Sequence, residues 1–239
     1  MRLVTFVPII NKFALALSCA VLAPLFLLAI LYFLGLRQES RAHGFLSDVQ
    51  TLNLGSSTFA DAERLANRYG GKPWTGIQPS ACTREKCFLR FEFPNPRNFA
   101  PFFSKVLFGG LIHVKDGKVV GVETFYESDS RAGPWVSYDL RETSVDRSMI
   151  EHANNPWEYA GYEWESAGFA IRSNHVVMNG VPWVVEVLLG KNATNQERAR
   201  SFSINLACLA TLSGCRTPSA LVPAEIFKLA ASRAQSAAN

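Results

Sequence analysis

The first pattern in the chain is an unbroken apolar run over residues 13–36, which contain no formal charge. As a helix these 24 residues would reach roughly 36 Å, at about 1.5 Å per residue. The hydrocarbon core of a bilayer is about 30 Å thick, so the run predicts one transmembrane helix with some tilt. Pro24 lies inside the run and predicts a mild kink.

Two other interpretations of this run stay open. A cleaved signal peptide has a shorter apolar stretch, of about 7–15 residues, and a small-residue cleavage site. The chain has no clean A-x-A motif after the run. Lipidation of Cys19 after cleavage would need a better lead-in than residues 16–18 provide. We therefore expect an uncleaved signal-anchor, with the lipid bilayer as the partner of residues 13–36.

A second helical pattern follows a mixed, polar stretch, residues 37–56, which fits either a juxtamembrane helix end or a spacer. Thr58 and Asp61 form a capping-box pair, and Gly70-Gly71 predicts the end of the helix. The apolar positions between them fall on one face, which we expect to pack on a sheet: Phe59, Ala62, Leu65, Ala66 and Tyr69.

Alternation with period two then predicts a series of strands. They fall at residues 87–93, 102–115, 118–127, 135–140, 168–178, 181–189 and 202–208. Asp116-Gly117 and Asn179-Gly180 predict two-residue hairpin turns. Residues 109–110, both glycine, predict a break or bulge.

The C-terminal part contains two further helix signals. Thr194-x-x-Glu197 is a capping box that could start a helical turn just before the last strand. Residues 221–234 predict a terminal helix after Pro218, with a frayed tail.

These elements predict an α+β fold: an N-terminal single transmembrane helix, then one domain with a mainly antiparallel, hairpin-connected sheet packed against a short helix. The expected organisation has five parts. They are residues 1–12 as a cytoplasmic N-terminus, 13–36 as the signal-anchor, 37–56 as a juxtamembrane spacer, 57–217 as the extracytoplasmic domain, and 218–239 as a C-terminal helix and frayed tail.

Four of the five cysteines lie in the predicted domain, as two close pairs. An even number of cysteines fits local disulfides in an oxidising compartment, and sequence proximity favours Cys82 with Cys87 and Cys208 with Cys215. Buried free thiols and a metal site are the alternatives. The Cys208-x6-Cys215 spacing is too wide for a typical zinc site, so we expect no metal and no cofactor.

Charge adds weak evidence on orientation and partners. Arg2 and Lys12 precede the apolar run without any acid, which favours a cytoplasmic N-terminus and a periplasmic or extracellular domain. The formal charge is +4, and residues 37–239 account for only +2 of it, with 22 bases against 20 acids. Such a balance gives no reason to expect nucleic-acid binding.

Catalytic signatures are scarce. The sequence has no GxxxxGK[ST], GxGxxG, GxSxG or HExxH motif. The best candidate for chemistry is an acidic-aromatic stretch at residues 151–165, where carboxylates alternate with Trp and Tyr as in glycosidase sites. Its candidate catalytic residues are Glu158, Glu163, Glu165 and His152, which Asp139 and Glu142 could join. The competing interpretation is that the aromatic residues pin a loop while the acids face water.

His113 falls on one face of its strand with Leu111 and Lys115, which is typical of a structural histidine. The favoured function is therefore a membrane-anchored, non-catalytic binding or assembly module, with an envelope protein or a glycan as its ligand. The alternative is an envelope hydrolase that uses carboxylates of residues 139–165.

Overall fold

A computed structural model of the chain describes residues 7–74, 82–96, 98, 105–129, 136–151, 162–175, 183–211, 214–215 and 217–237. The helices are α1 (Val7–Gln50), α2 (Phe59–Tyr69), α3 (Arg147–Glu151), α4 (Asn195–Ser201), α5 (Pro218–Leu221) and α6 (Ala224–Ala237), with a 3-10 helix at Leu206–Leu209. The strands are β1 (Lys72–Pro73), β2 (Lys86–Pro94), β3 (Lys105–Lys115), β4 (Lys118–Asp129), β5 (Val136–Thr143), β6 (Glu163–Trp164), β7 (Phe169–His175) and β8 (Trp183–Leu189).

The strands form one eight-stranded sheet in the order β1-β2-β3-β4-β5-β8-β7-β6. Neighbouring strands are antiparallel except β5 and β8, which pair in parallel. The predicted α+β class, with a long N-terminal apolar helix and a mainly antiparallel sheet, is confirmed.

Helix α1 is the one helix among the described residues that is long and apolar enough to cross a membrane. Its most apolar window, within Ala20–Gln50, has a mean hydropathy of 2.1, and a signal sequence would pass the same test. Side chains of this helix are exposed from Ala20 to Ile30, and the first buried one after Ala20 is Leu31.

Within the stretch at residues 37–56, α1 continues to Gln50 and enters the core of the domain, so residues 37–50 are the end of the helix and not a spacer. Ala42, Phe45, Leu46 and Val49 are all buried. These positions repeat every three or four residues, so the helical period was present in the sequence beneath the charged residues on the outer side of the helix.

Phe45 of α1 lies at the centre of an aromatic cluster. Its ring centroid is 4.6 Å from Phe91, 5.3 Å from Phe93 and 5.7 Å from Tyr69. A side chain at Gly110 would place its Cβ 2.7 Å from the Phe45 ring. The helix can therefore approach the sheet only where β3 has a glycine.

The hairpin prediction at Asp116-Gly117 is confirmed, since β3 and β4 pair directly across it. Both residues have positive φ, 53° and 72°, as a tight hairpin turn of this kind requires. The Asn179-Gly180 turn lies outside the described residues, although the flanking strands β7 and β8 pair antiparallel. The break expected at residues 109–110 does not occur, because β3 runs through both glycines.

The strand predicted at residues 202–208 is also wrong. The Thr194–Glu197 capping box starts α4, and the 3-10 helix follows, with Asn205 Oδ1 accepting a hydrogen bond from the Ala207 N–H. Burial still alternates along this segment. The alternating sequence pattern therefore predicted correctly which side chains are buried, but it did not predict the backbone conformation. The predicted terminal helix is divided into α5 and α6 by the segment at Val222 and Pro223.

Both predicted disulfides are present. The Cα atoms of Cys82 and Cys87 are 4.4 Å apart, and those of Cys208 and Cys215 are 5.1 Å apart. The second disulfide lies against the sheet, where the Cys215 N–H donates a hydrogen bond of 3.0 Å to Tyr126 Oη. It therefore ties the 3-10 helix to β4.

Candidate functional site

The two faces of the sheet differ in what lies on them. Leu89, Phe91 and Phe93 of β2 pack against α1 and α2, and we call their side the covered face. The alternate residues Phe88 and Arg90 point to the other side, the open face. A groove of about 800 Å³ crosses the open face, and we call it the open-face groove.

One end of the open-face groove is a row of aromatic rings, the aromatic ledge, formed by Trp74, Phe88 and His113. Phe88 and His113 are directly opposite each other on β2 and β3, and their rings stack with centroids 4.2 Å apart and planes 11° apart. The Trp74 ring meets the Phe88 ring edge-on with centroids 6.1 Å apart, and the backbone N–H of Trp74 donates to the Phe88 carbonyl oxygen at 2.8 Å. The ledge is therefore fixed by the sheet register and by backbone hydrogen bonding.

His113 is partly buried within this ledge. Burial lowers the pKa of its imidazole, and the positive charges of Lys86 and Lys115 lower the pKa further. The neutral ring is thus favoured, and it presents a flat surface with one donor and one acceptor nitrogen.

The floor of the groove is low because β4 has no side chain at Gly121. The register between β3 and β4 shifts here, since His113 pairs with Gly121 while Val114 pairs with Val119. Val120 is left over as a β-bulge, a feature that locally bends a strand. A Cβ at residue 121 would lie 3.4 Å from the Glu142 carbonyl oxygen, in van der Waals contact, so an added side chain would start from the floor of the groove.

Beyond Gly121 the floor becomes polar. Glu123 and Arg141 are opposite each other on β4 and β5, with Arg141 Nε 3.3 Å from Glu123 Oε2. Each side chain is about one-third exposed, at 29% and 33%. Leu111 and Leu188 also line the groove, so an ion pair that solvent can reach lies between apolar walls.

Carboxylates continue along the open face beside the groove. Asp139 is directly opposite Glu186 on the parallel pair β5 and β8, and Glu186 is held by Arg172 and by Tyr162 Oη at 3.0 Å. Burial raises the pKa of Asp139 to about 7, and the negative charges of Glu123 and Glu186 act in the same direction. Near neutral pH this carboxyl can therefore gain or lose a proton.

Glu142 points to the covered face and has a structural contact instead. Arg198 of α4 bonds both of its carboxylate oxygens, with Nε at 2.6 Å and Nη2 at 3.0 Å. The same guanidinium donates to the Gln50 carbonyl oxygen at 2.5 Å and caps the end of α1. The Arg198–Glu142 pair thus fixes the C-terminus of α1 to β5.

The candidate residues of the acidic-aromatic stretch are not assembled around one point in the described residues. Glu163 and Glu165 are exposed at the β6 edge of the sheet. Glu163 is opposite Ile171, a covered-face residue, so its side chain points away from the face that carries Asp139. His152 and Glu158 lie outside the described residues, and no His, Cys, Asp or Glu group of three in the described part could hold a metal ion.

Sequence reasoning placed His113 on the strand face where it lies but missed the aromatic ledge and the polar floor. A signal for the ledge existed, because Phe88 is an aromatic residue on the polar side of an alternating strand. No local signal joins Trp74, Glu123 and Arg141, which come from three separate segments and meet only through strand pairing.

No protein-family model matches the chain, and comparison with curated proteins and with solved structures finds no match.

Proposed function

We propose that the protein is a single-pass membrane-anchored binding module, with a cytoplasmic N-terminus and an extracytoplasmic sheet domain. Support comes from the length and hydropathy of α1, from the bases without acids before the apolar run, and from two disulfides, which form in oxidising compartments. The α1 helix serves as both anchor and core element, so the module is attached to the bilayer without a flexible linker.

We infer that the open-face groove is its binding site and that the ligand is a glycan. The observation that carries this inference is the aromatic ledge standing beside the solvent-accessible Glu123–Arg141 pair. A flat ring accepts the apolar face of a sugar, while a carboxylate and a guanidinium bind its hydroxyl groups as acceptor and donor. The Glu123–Arg141 pair on the floor is neutral overall, so the groove suits an uncharged ligand better than a phosphate or another strongly charged one.

Binding of oligosaccharides by the full-length chain in detergent micelles tests this function. A panel of soluble β-linked oligosaccharides of glucose, galactose and N-acetylglucosamine is titrated by calorimetry. We expect at least one to bind, and Gly121→Val to weaken that binding about ten-fold or more, which is about 1.4 kcal/mol. The valine adds its methyl groups to the groove floor.

The matched control is Ala60→Val, which places the same valine side chain at an exposed position on α2. It is expected to leave binding unchanged. Absence of binding throughout the panel, or equal binding by Gly121→Val and wild type, would contradict a glycan site in this groove.

The second candidate function is a glycan hydrolase, and Asp139 is the observation that favours it. Its carboxyl, with a pKa raised to about 7, is suited to donate a proton to a leaving group. Glu186 lies directly opposite as a second carboxylate. New reducing ends that accumulate with wild type but not with Asp139→Asn would support hydrolysis, and their absence with wild type would exclude it for the glycans tested.

A further inference from the structure

The domain touches α1 inside the apolar run rather than beyond it. Leu31 is buried, with 6% of its surface exposed, although the run extends to Leu36. At Gly35 an added Cβ would lie 3.2 Å from the Cα of Ala210, directly after the 3-10 helix. The 3-10 helix therefore packs on the last turns of the segment that is apolar enough for lipid.

The length of the run determines how deep this contact lies. Residues 13–36 as a helix exceed the hydrocarbon thickness by about 6 Å, or roughly four residues. If the excess lies at the N-terminal end, Leu31 is about 8 Å inside the hydrocarbon boundary; if it lies at the other end, Leu31 is within about 2 Å of it. In both cases the 3-10 helix reaches the interfacial layer of the bilayer.

An apolar groove of about 640 Å³ opens at this contact, and we call it the membrane-side groove. Its α1 wall carries Leu28, Tyr32 and Leu36, which are 43%, 50% and 37% exposed. The opposite wall consists of Ala207, Ala210 and Thr211, and the one charged lining residue among those described is Glu39, three residues past the end of the apolar run. Apolar walls with an acid at one end match the polarity gradient across the edge of a bilayer.

We propose that an acyl chain of an outer-leaflet phospholipid occupies the membrane-side groove and that the 3-10 helix rests on the bilayer surface. This inference depends on the membrane anchoring proposed above. Lipid is the occupant because the α1 wall of the groove is a direct continuation of the exposed apolar surface of the same helix, which the proposed anchoring places in the bilayer.

The consequence is a fixed height for the ligand site. From Leu31 to Gln50 the helix rises about 28 Å. The Gln50 carbonyl oxygen is bonded to Arg198, whose partner Glu142 belongs to β5, and the neighbouring β5 residues Arg141 and Thr143 line the open-face groove. The open-face groove is thus linked to the C-terminal end of α1, about 28 Å along the helix from Leu31.

Site-specific photocrosslinking of the full-length chain tests the contact with lipid. Benzoylphenylalanine replaces Ala207 in one variant, Phe26 in the apolar run in a second, and Ala60 on α2 in a third. All three side chains are exposed, so none of the changes removes a core contact. Each variant is reconstituted in vesicles of palmitoyl-oleoyl phosphatidylethanolamine and phosphatidylglycerol, irradiated, and weighed by mass spectrometry.

We expect a mass shift of one phospholipid at positions 26 and 207, and none at position 60. A lipid adduct at position 26 without one at position 207 would overturn the proposed contact between the 3-10 helix and lipid, while the anchoring proposal would stand. Crosslinking of 207 to a second copy of the chain would overturn lipid as the occupant. If position 26 also yields no lipid adduct, the anchoring proposal fails, and the proposed contact of the 3-10 helix with lipid fails with it.

Discussion

The covered and open faces of the sheet are built from alternate residues of the same strands, yet they differ in the partners that their carboxyl groups have. On the covered face, Glu142 has both carboxylate oxygens bonded by Arg198. On the open face, Asp139 lies directly opposite a second acid, Glu186, and its pKa is raised by burial and by neighbouring negative charge. The Glu142 carboxylate on the covered face is thus neutralised by a guanidinium, whereas the open face keeps Asp139, a carboxyl whose ionisation is unfavourable.

This difference supports the open face as the face of the proposed binding site. A stabilising surface has no need of acids placed side by side, whereas perturbed carboxyls are concentrated at functional sites. The aromatic residues divide in the same way, since Phe45 is completely buried against the covered face while Trp74 on the open face remains 39% exposed. The predictions below test whether the two faces separate stability from binding.

The largest expected effect is on the covered face. Phe45→Ala should lower the free energy of unfolding by about 4 kcal/mol, because it empties the centre of the aromatic cluster. Phe88→Ala on the open face should lower the free energy of unfolding by about 1 kcal/mol, since that ring is only partly buried. The free energy of ligand binding should fall by more than this amount. Denaturant titration in micelles gives both values.

Phe26→Ala is the control for Phe45→Ala, because Phe26 lies on the same helix but is 69% exposed. It should leave the unfolding midpoint unchanged. Equal loss of stability for Phe45→Ala and Phe88→Ala would show that the two faces are not energetically distinct.

A second comparison uses one ion pair from each face. A double-mutant cycle with Arg198→Met and Glu142→Gln should give a coupling of about 2 kcal/mol, because this pair is shielded and bidentate. The same cycle on Glu123 and Arg141 should give about 0.5 kcal/mol, since solvent reaches both side chains. A larger coupling energy for Glu123 and Arg141 than for Arg198 and Glu142 would mean that the open-face pair is the one that stabilises the fold.

The sequence predicted the elements that depend on local signals. The Thr58 and Thr194 capping boxes, the Asp116-Gly117 hairpin and the alternation along β2 all lie within a few consecutive residues, and the structure contains each of them. The full extent of α1 was not predicted because charged residues at 37–41 fitted a solvated spacer as well as a helix end, although the apolar face of the helix continued beneath them.

The site could not be predicted in the same way. Trp74, Glu123 and Arg141 are brought together by strand order and register, which a single sequence does not specify. The expected catalytic stretch was chosen by composition, and composition does not determine the face to which a side chain such as Glu163 points.

A smaller effect is expected from the unfavourable acid on the open face. The pKa of Asp139 is raised in the folded protein, so its charging opposes folding, and stability should fall as the pH rises from about 4 to about 7. Asp139→Asn should remove this slope and be more stable than wild type at pH 8, by about 1 kcal/mol. That value is less than the full shift because the side chain is partly exposed and the variant loses attraction to Arg141.

Thermal melts of both proteins between pH 4 and pH 8 measure this difference. Glu163→Gln is the control, since Glu163 is an exposed acid on the edge strand. Parallel pH profiles for wild type and Asp139→Asn would mean that Asp139 is charged without cost, and the open face would then hold no unfavourable charge.

The smallest effect concerns the aromatic ledge. Because burial and two lysines lower the pKa of His113, the folded protein resists protonation there, and stability should decline as the pH falls below 6.5, the ordinary histidine value. His113→Phe keeps a ring on Phe88 and should remove this decline. NMR titration of the imidazole should place its midpoint below 6.5, and Lys115→Gln should move the midpoint upward. A midpoint above 6.5 would require an acid beside the ring, and the ledge would then favour a cationic ring over the neutral stacking surface on which the proposed glycan binding depends.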